Sequence, residues 1–317
     1  MIRPDTLQKY TLKFQKLKQG NTPFGKAPHK PVLLLAVMHQ IEKGNILDNR
    51  IFLTPELVAE FLETFKLLVL TGNRPEFTLP FYHLRGEQFW HLQPKNDNVL
   101  RGYIKSINVL NEVVDYAYLD EPLFDLMQQA DTRQTLKNTL LETYFPTTKA
   151  EYRFVYDKTD AYIHTIEQYI LNEPTIAYQT PPSVKDEDEQ FVRGSLFKKW
   201  IPKLYNHTCS ISRMRVTSTH GYQLIDACHI KPFSLSNDDT VANGFALCPN
   251  LHRAFDRGMI GVDADYRVVV SRYIHEDEKQ AYGLTQLAGV PLYLPMDAAH
   301  LPSREGFLWH LGKRFEK

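Results

Sequence analysis

No stretch of about 18 consecutive apolar residues occurs in the sequence, so no segment is built to cross a bilayer as a helix and no membrane partner is expected. Met1-Ile-Arg-Pro-Asp5 also lacks the apolar core of a secretory signal, and a soluble cytoplasmic protein is the expectation. Cysteine is scarce: Cys209, Cys228 and Cys248 are the three in 317 residues, which excludes a disulfide framework. Net charge is missing too, because 37 Lys and Arg balance 37 Asp and Glu, so no global field draws the chain to nucleic acid. The charges are unevenly placed, however. Residues 1–30 carry seven Lys and Arg against the single acid Asp5, and residues 191–257 carry nine against four. Residues 150–190 hold nine acids against three bases, which places the acids in a connector between two basic modules. A hydrophobic content of 43% supports a sizeable core, and the length points to two domains.

The first module, residues 1–147, reads as mixed helix and strand. Tyr10, Phe14 and Leu17 recur at helical spacing beside Lys9, Lys13, Lys16 and Lys18, which predicts an amphipathic opening helix whose lysines solvate one face. Gly25-Lys-Ala-Pro-His-Lys-Pro31 is a proline-fixed loop, and Pro31 suits the first turn of a buried helix over 32–39. Thr54-Pro-Glu-Leu57 starts a capped helix through Phe65. Pro80–Leu84 and Gln88–Leu92 flank Arg85-Gly86 like a hairpin, and residues 108–144 read as helical. A helix near 160–171 and the acidic, proline-broken run 179–189 make a linker over 148–190. Residues 191–317 read as a compact α+β module. A basic helix at 191–205 comes first, then short strands at 216–219 and 222–225, a helix carrying His252, and strands at 259–262 and 267–271.

The chemistry concentrates in Ile225-Asp-Ala-Cys-His-Ile-Lys-Pro-Phe233 and Asn243-Gly-Phe-Ala-Leu-Cys-Pro-Asn-Leu-His-Arg-Ala-Phe-Asp-Arg-Gly258. A histidine closing a strand, an asparagine in a loop and a second histidine on a helix can converge around one divalent metal, which suits phosphodiester hydrolysis. The segment from 191 to 312 resembles the HNH endonucleases with their ββα-metal site. The resemblance implies that His229 is the general base, Asn243 holds the geometry and His252 is a ligand for Mg²⁺ or Mn²⁺. Where relatives carry a metal ligand just before the base, this chain has Cys228, a donor too soft for Mg²⁺. Strand alternation puts Asp226 on the same face as Cys228, so Asp226 is either the substitute ligand or a hydrogen-bonding residue. Cys209 is paired by spacing with Ser212, and Cys248 with Leu251, so no structural Cys₄ zinc is expected. Asp256-Arg-Gly258 reads as a helix stop with Gly258 as left-handed cap, and His220 and His275 as surface residues.

The first module also carries a resemblance. Ala27-Pro-His-Lys-Pro-Val-Leu-Leu-Leu35, Leu79-Pro-Phe-Tyr-His-Leu84 and Leu141-Glu-Thr-Tyr-Phe-Pro146 resemble the sulfur-binding domain of phosphorothioate-dependent restriction endonucleases. This implies a double-stranded DNA partner in which sulfur replaces a non-bridging phosphate oxygen. His29 and Lys30 would lie at the pocket edge, Leu79, Pro80 and His83 would form its wall, and Lys26 and Arg85 would add basic contacts. The other reading of Pro80-Phe81 is a strand start with a core aromatic. The joint expectation is a modification-dependent restriction endonuclease. A nuclease reading methylated or sequence-specific DNA, and a binding protein that does not cut, are the alternatives; an intracellular scaffold fits the motif spacing least. One HNH site attacks one strand, so a double-strand break requires a homodimer or two visits.

Overall fold

The structure, a computed structural model, describes residues 4–95, 100, 102–156, 161–172, 187–219, 223–277 and 282–316. The acidic run expected at 179–189 lies outside the described residues as far as 186, as do His220 and Tyr222. Contacts divide the chain into two units, Met1–His164 with Val184–Val192, and Thr165–Ser183 with Arg193–Lys317.

The first unit contains α1 (Pro4–Gln15), a hairpin of β1 (Asn21–Thr22) and β2 (Gly25–Lys26), α2 (His29–Glu42), α3 (Pro55–Leu68) and α4 (Thr78–His83). It continues through β3 (Trp90–Pro94), α5 (Ile107–Val113), β4 (Val114–Leu119), α6 (Glu121–Gln128), α7 (Ala130–Tyr144) and α8 (Lys149–Tyr156). A helix that is apolar all round must be enclosed, and α2 is buried without a break from Pro31 to Ile41, with α3, α4, α6 and α7 against it. Pro31 occupies its first turn, where a missing N–H breaks no helical bond. The Thr54 hydroxyl caps α3 by accepting from Leu57 N.

Two expectations fail here. Residues 80–92 do not form a hairpin: Leu79–His83 belong to α4, with Pro80 in its first turn, and β3 pairs antiparallel with β4 instead. Aromatic packing decides the matter, since Phe77 and Phe81 on this segment continue a core chain from Phe61 to Trp90 with ring centroids 5.4–5.5 Å apart. The expected helical run over 108–144 is likewise broken by β4, whose Val114, Ala117 and Leu119 are buried against the helices.

In the second unit come α9 (Ala161–Asn172) and α10 (Glu187–Leu204), each crossed by the division, then β5 (Asp226–His229), α11 (Phe233–Ser236), β6 (Gly244–Leu247) and α12 (Pro249–Asp256). Next are β7 (Ile260–Val262), β8 (Val268–Val270) and α13 (Arg304–Lys313). Among the described residues of the strands expected at 216–219 and 222–225, the pairing is a single bridge, Thr217 to Gln223. β5 pairs antiparallel with β6 from Asp226 opposite Leu247 to His229 opposite Gly244, and α12 follows directly, which is the ββα order. Phe245, Phe255 and Phe307 form the core beneath, and His310 stacks on Phe255 at 3.7 Å. Gly258 has φ +72 and ends α12 as expected; a Cβ there would lie 2.1 Å from the Arg314 carbonyl oxygen. Both units mix helix and strand, so the chain is α+β.

Candidate active site and nucleic-acid interface

His229 is the last residue of β5 and is held on two sides. Its ring stacks on Phe197 of α10 at 4.0 Å and 9°, and its Nε2 lies 3.0 Å from Asp239 Oδ1. Gly244, opposite His229 in the ladder, makes the stack possible: a Cβ there would come within 2.6 Å of the Phe197 ring. Asp239 is 1% exposed, and the guanidinium of Arg193 stands 3.8 Å from its other oxygen.

Asn243 is buried, and its side chain is fully used. Oδ1 accepts from Lys231 N at 2.9 Å, while Nδ2 donates to Lys231 O at 3.0 Å and Asp238 O at 2.9 Å. It therefore ties the end of β5 to the loop that presents Asp239, a structural duty that suits an amide with one acceptor and two donors.

His252 on α12 faces two carboxylates. Nδ1 is 3.2 Å from Asp226 Oδ2 and Nε2 is 3.5 Å from Asp256 Oδ2, one helical turn on. The Cys228 thiol, His252 and Asp256 present ligand atoms within 4.8 Å of one another. The structure thus brings the expected Asp226 and His252 together. It adds Asp256, which sequence reasoning assigned to the helix stop although its i, i+4 spacing from His252 was the signal that could have found it. The 3.2 Å contact is a hydrogen bond and the 3.5 Å one is too long to be a good one, so Asp226 engages Nδ1–H and Nε2 is left facing Asp256. Cys228 is fully buried, and burial, with Asp256 and Asp226 nearby, pushes its thiol well up. A neutral thiol suits no hard cation, whereas a carboxylate and an imidazole with room for water do. The other two cysteines, both free thiols, meet at Ser212: its N–H donates to Cys209 Sγ at 3.5 Å and its hydroxyl lies 3.9 Å from Cys248 Sγ.

In the first unit, α4 turns Leu79 and His83 onto one face, with Pro80 buried behind them. His83 rests on Tyr103 and Tyr82, with ring centroids 5.1 and 5.3 Å away. Burial lowers its pKa, and Lys30 and Arg85 add to the effect, so these three lie in one electrostatic neighbourhood. Arg85 covers the Tyr82 ring at 3.9 Å. Lys30 is ion-paired to Glu87. The remaining two expected contacts do not join this group through any described bond. His29 is buried against Phe65 with Nε2 on the Arg74 carbonyl at 2.8 Å, and Lys26 donates to Asn21 Oδ1 at 2.8 Å in its own hairpin.

Two family matches cover these regions. The family described as HNH endonuclease matches residues 209–263, and the ScoMcrA-like DNA sulfur-binding domain matches residues 8–152. Among solved structures, similarity is found to a modification-dependent TagI restriction endonuclease, at 22% identity over 38% of each chain with TM-score 0.31. The chain therefore spans well under half of that protein's length. The sulfur-binding domain of SprMcrA complexed with phosphorothioated DNA matches at 22% identity over 48% of this chain and 96% of that one, TM-score 0.35. The Type IV phosphorothioation-dependent restriction endonuclease ScoMcrA matches at 11% identity over 77% and 94%, TM-score 0.34. Among curated proteins none matches. Among the described residues no helix is long and apolar enough to cross a membrane. The chain joins a ScoMcrA-like DNA sulfur-binding domain to an HNH endonuclease domain, the latter of a kind that uses a divalent metal.

Proposed function

We propose that this chain is a modification-dependent restriction endonuclease whose first unit reads phosphorothioate-bearing double-stranded DNA and whose second unit hydrolyses a phosphodiester bond nearby. The observation that carries the reading is the union, in one chain, of a sulfur-binding domain match with an HNH match whose His229, Asn243 and His252 sit on one ββα element.

In the cutting unit His229 takes a proton from the attacking water. Asn243 keeps the strand end and its loop in register so that the imidazole stays aimed. His252 Nε2 and Asp256 would hold a divalent cation, Mg²⁺ or Mn²⁺, with Asp226 fixing the other imidazole nitrogen, as carboxylates commonly do for metal-bound histidines. When bound, such a cation supplies Lewis-acid neutralisation of charge on the reacting phosphate. In the reading unit, the apolar Leu79 face with His83 and Tyr103 favours sulfur, which is larger, more polarizable and less tightly hydrated than oxygen. Arg85 supplies the charge that retains a phosphate.

The test is cleavage of one duplex in three forms, unmodified and with each phosphorothioate stereoisomer, in Mg²⁺ and in Mn²⁺. Selective cutting of one stereoisomer is expected. Equal cutting of all three removes the sulfur claim, and no cutting of any removes the nuclease claim for this chain.

A further inference from the structure

Resting on the cutting role just given to His229, we propose that Asp239 is its positioning residue, holding the imidazole as the Nε2–H tautomer so that Nδ1 is the atom that accepts the proton from water. The assignment follows from what a carboxylate can do. Asp239 Oδ1 lies 3.0 Å from Nε2, and a carboxylate has no proton to give, so Nε2 must be the donor. A neutral imidazole has a single N–H, and its lone pair is then on Nδ1. Among the described residues nothing pairs with that nitrogen.

The ring has few ways to move. Phe197 fixes its plane by stacking at 4.0 Å, and Asp239 fixes its rotation within that plane. The carboxylate is itself committed. Its side chain is 2% exposed and, among the described residues, its Oδ2 makes no hydrogen bond, with Arg193 Nε at 3.8 Å as counter-charge. Arg193 is anchored in turn by donating from Nη2 to the Asn237 carbonyl at 3.3 Å. Asp238, one residue earlier, is held by Asn243, so that asparagine sets the height at which Asp239 meets the histidine. When the water O–H bond breaks, its electron pair stays on the oxygen that joins phosphorus, the bond from phosphorus to the leaving ester oxygen breaks with its pair on that oxygen, and the proton taken from water rests on Nδ1. The resulting imidazolium then faces a buried carboxylate, the arrangement that stabilises such a cation in other hydrolases.

The test uses the full-length protein labelled with ¹⁵N-histidine, with His229→Gln identifying the ring's signals by difference, and the isosteric Asp239→Asn. The wild type is expected to show His229 protonated on Nε2 and bare on Nδ1, and Asp239→Asn to lose that pattern. On a stereodefined phosphorothioate duplex, kcat of Asp239→Asn is expected to fall by roughly 10³ to 10⁴-fold while KM changes by less than about 2-fold. A wild-type ring protonated on Nδ1, or a variant that cuts at the wild-type rate, overturns the proposal. The wild-type spectrum decides the tautomer alone, so a variant that fails to fold does not shelter it. A wild type with the expected tautomer that cuts no DNA would instead overturn the nuclease reading.

Discussion

In the second unit the side chains assigned to chemistry are gripped by protein, whereas in the first unit Leu79, His83 and Arg85, among those assigned to DNA, sit on or just after a short helix with aromatics behind His83 and Arg85. His229 has a stacked ring and a carboxylate, and Asn243 makes three side-chain hydrogen bonds. By contrast, His83 at the end of α4 and Arg85 in the turn just after it rest on Tyr103 and Tyr82 and make no described side-chain hydrogen bond. The difference follows from the tasks. Proton transfer fails when an atom is misplaced by about 1 Å, so the protein spends its own contacts on the imidazole. Recognition requires polar and apolar edges left free for the ligand, with the entropy of ordering reduced by a rigid support.

The largest effect that could break this contrast is at His229. His229→Ala is expected to lower the cleavage rate by roughly 10³-fold or more while duplex affinity stays within about 2-fold, because the residue serves the reaction and not the docking. Gel-shift and cleavage assays on one preparation would check it. Loss of binding in step with cleavage would remove the division of labour between the units.

On the reading side, Leu79→Asp sets a carboxylate at a half-buried position on the α4 face shared with His83. Affinity for a phosphorothioate duplex is expected to fall about 10 to 100-fold, from like-charge repulsion and a lost apolar contact. Titration by fluorescence anisotropy reads this directly. An unchanged affinity would move the recognition surface away from α4, toward the hairpin that carries Lys26.

Gly244→Ala sharpens the argument for a gripped histidine, because the added methyl would meet the Phe197 ring at 2.6 Å and Ile201 at 2.7 Å. Overpacking of this sort costs about 1–3 kcal/mol, so the second unit should melt several degrees earlier. If Phe197 shifts, cleavage should fall more than stability alone explains. A variant with wild-type melting and wild-type cleavage would mean that the stack does not hold His229.

How far the sequence could be read depended on how local each feature was. His229, Asn243 and His252 lie on a hairpin and the helix directly after it, so their placement on consecutive elements was legible from spacing. Phe197 comes from α10, and neither its place on the imidazole nor the reason for Gly244 has any short-range signal. Asp239 lies in the loop between α11 and β6, ten residues beyond His229, and no short-range pattern marks its pairing with the imidazole. In the first unit, Pro80-Phe-Tyr-His83 is rich in residues that favour strands, and only the ring chain from Phe61 to Trp90 makes it helical. Val114–Leu119 is flanked by helix on both sides, and its pairing with Trp90–Pro94 is a long-range fact that local pattern does not report.

Acid should separate the two units by a smaller margin. His39 in the first unit and His310 in the second are each held down to about 4, chiefly by burial. The unfolded histidine titrates near 6.5, so as pH falls from there to about 4 the unfolded chain takes up a proton that the folded chain refuses, and both units lose stability. Glu60 adds a second loss to the first unit alone. Burial pushes its carboxyl up, but hydrogen bonds from His39 and Lys43 outweigh that and hold it at about 2. Its contribution is complete above the usual 4.5 and disappears as pH falls toward 2. Calorimetry from pH 7 to pH 3 should therefore show the first unit's transition dropping further, by an excess of about 1–2 kcal/mol concentrated below pH 4.5. Glu60→Gln should remove that excess and leave the histidine-driven loss in place. A second unit that proves the more acid-sensitive would mean that the Glu60 cluster is not held in the ionised form its partners imply.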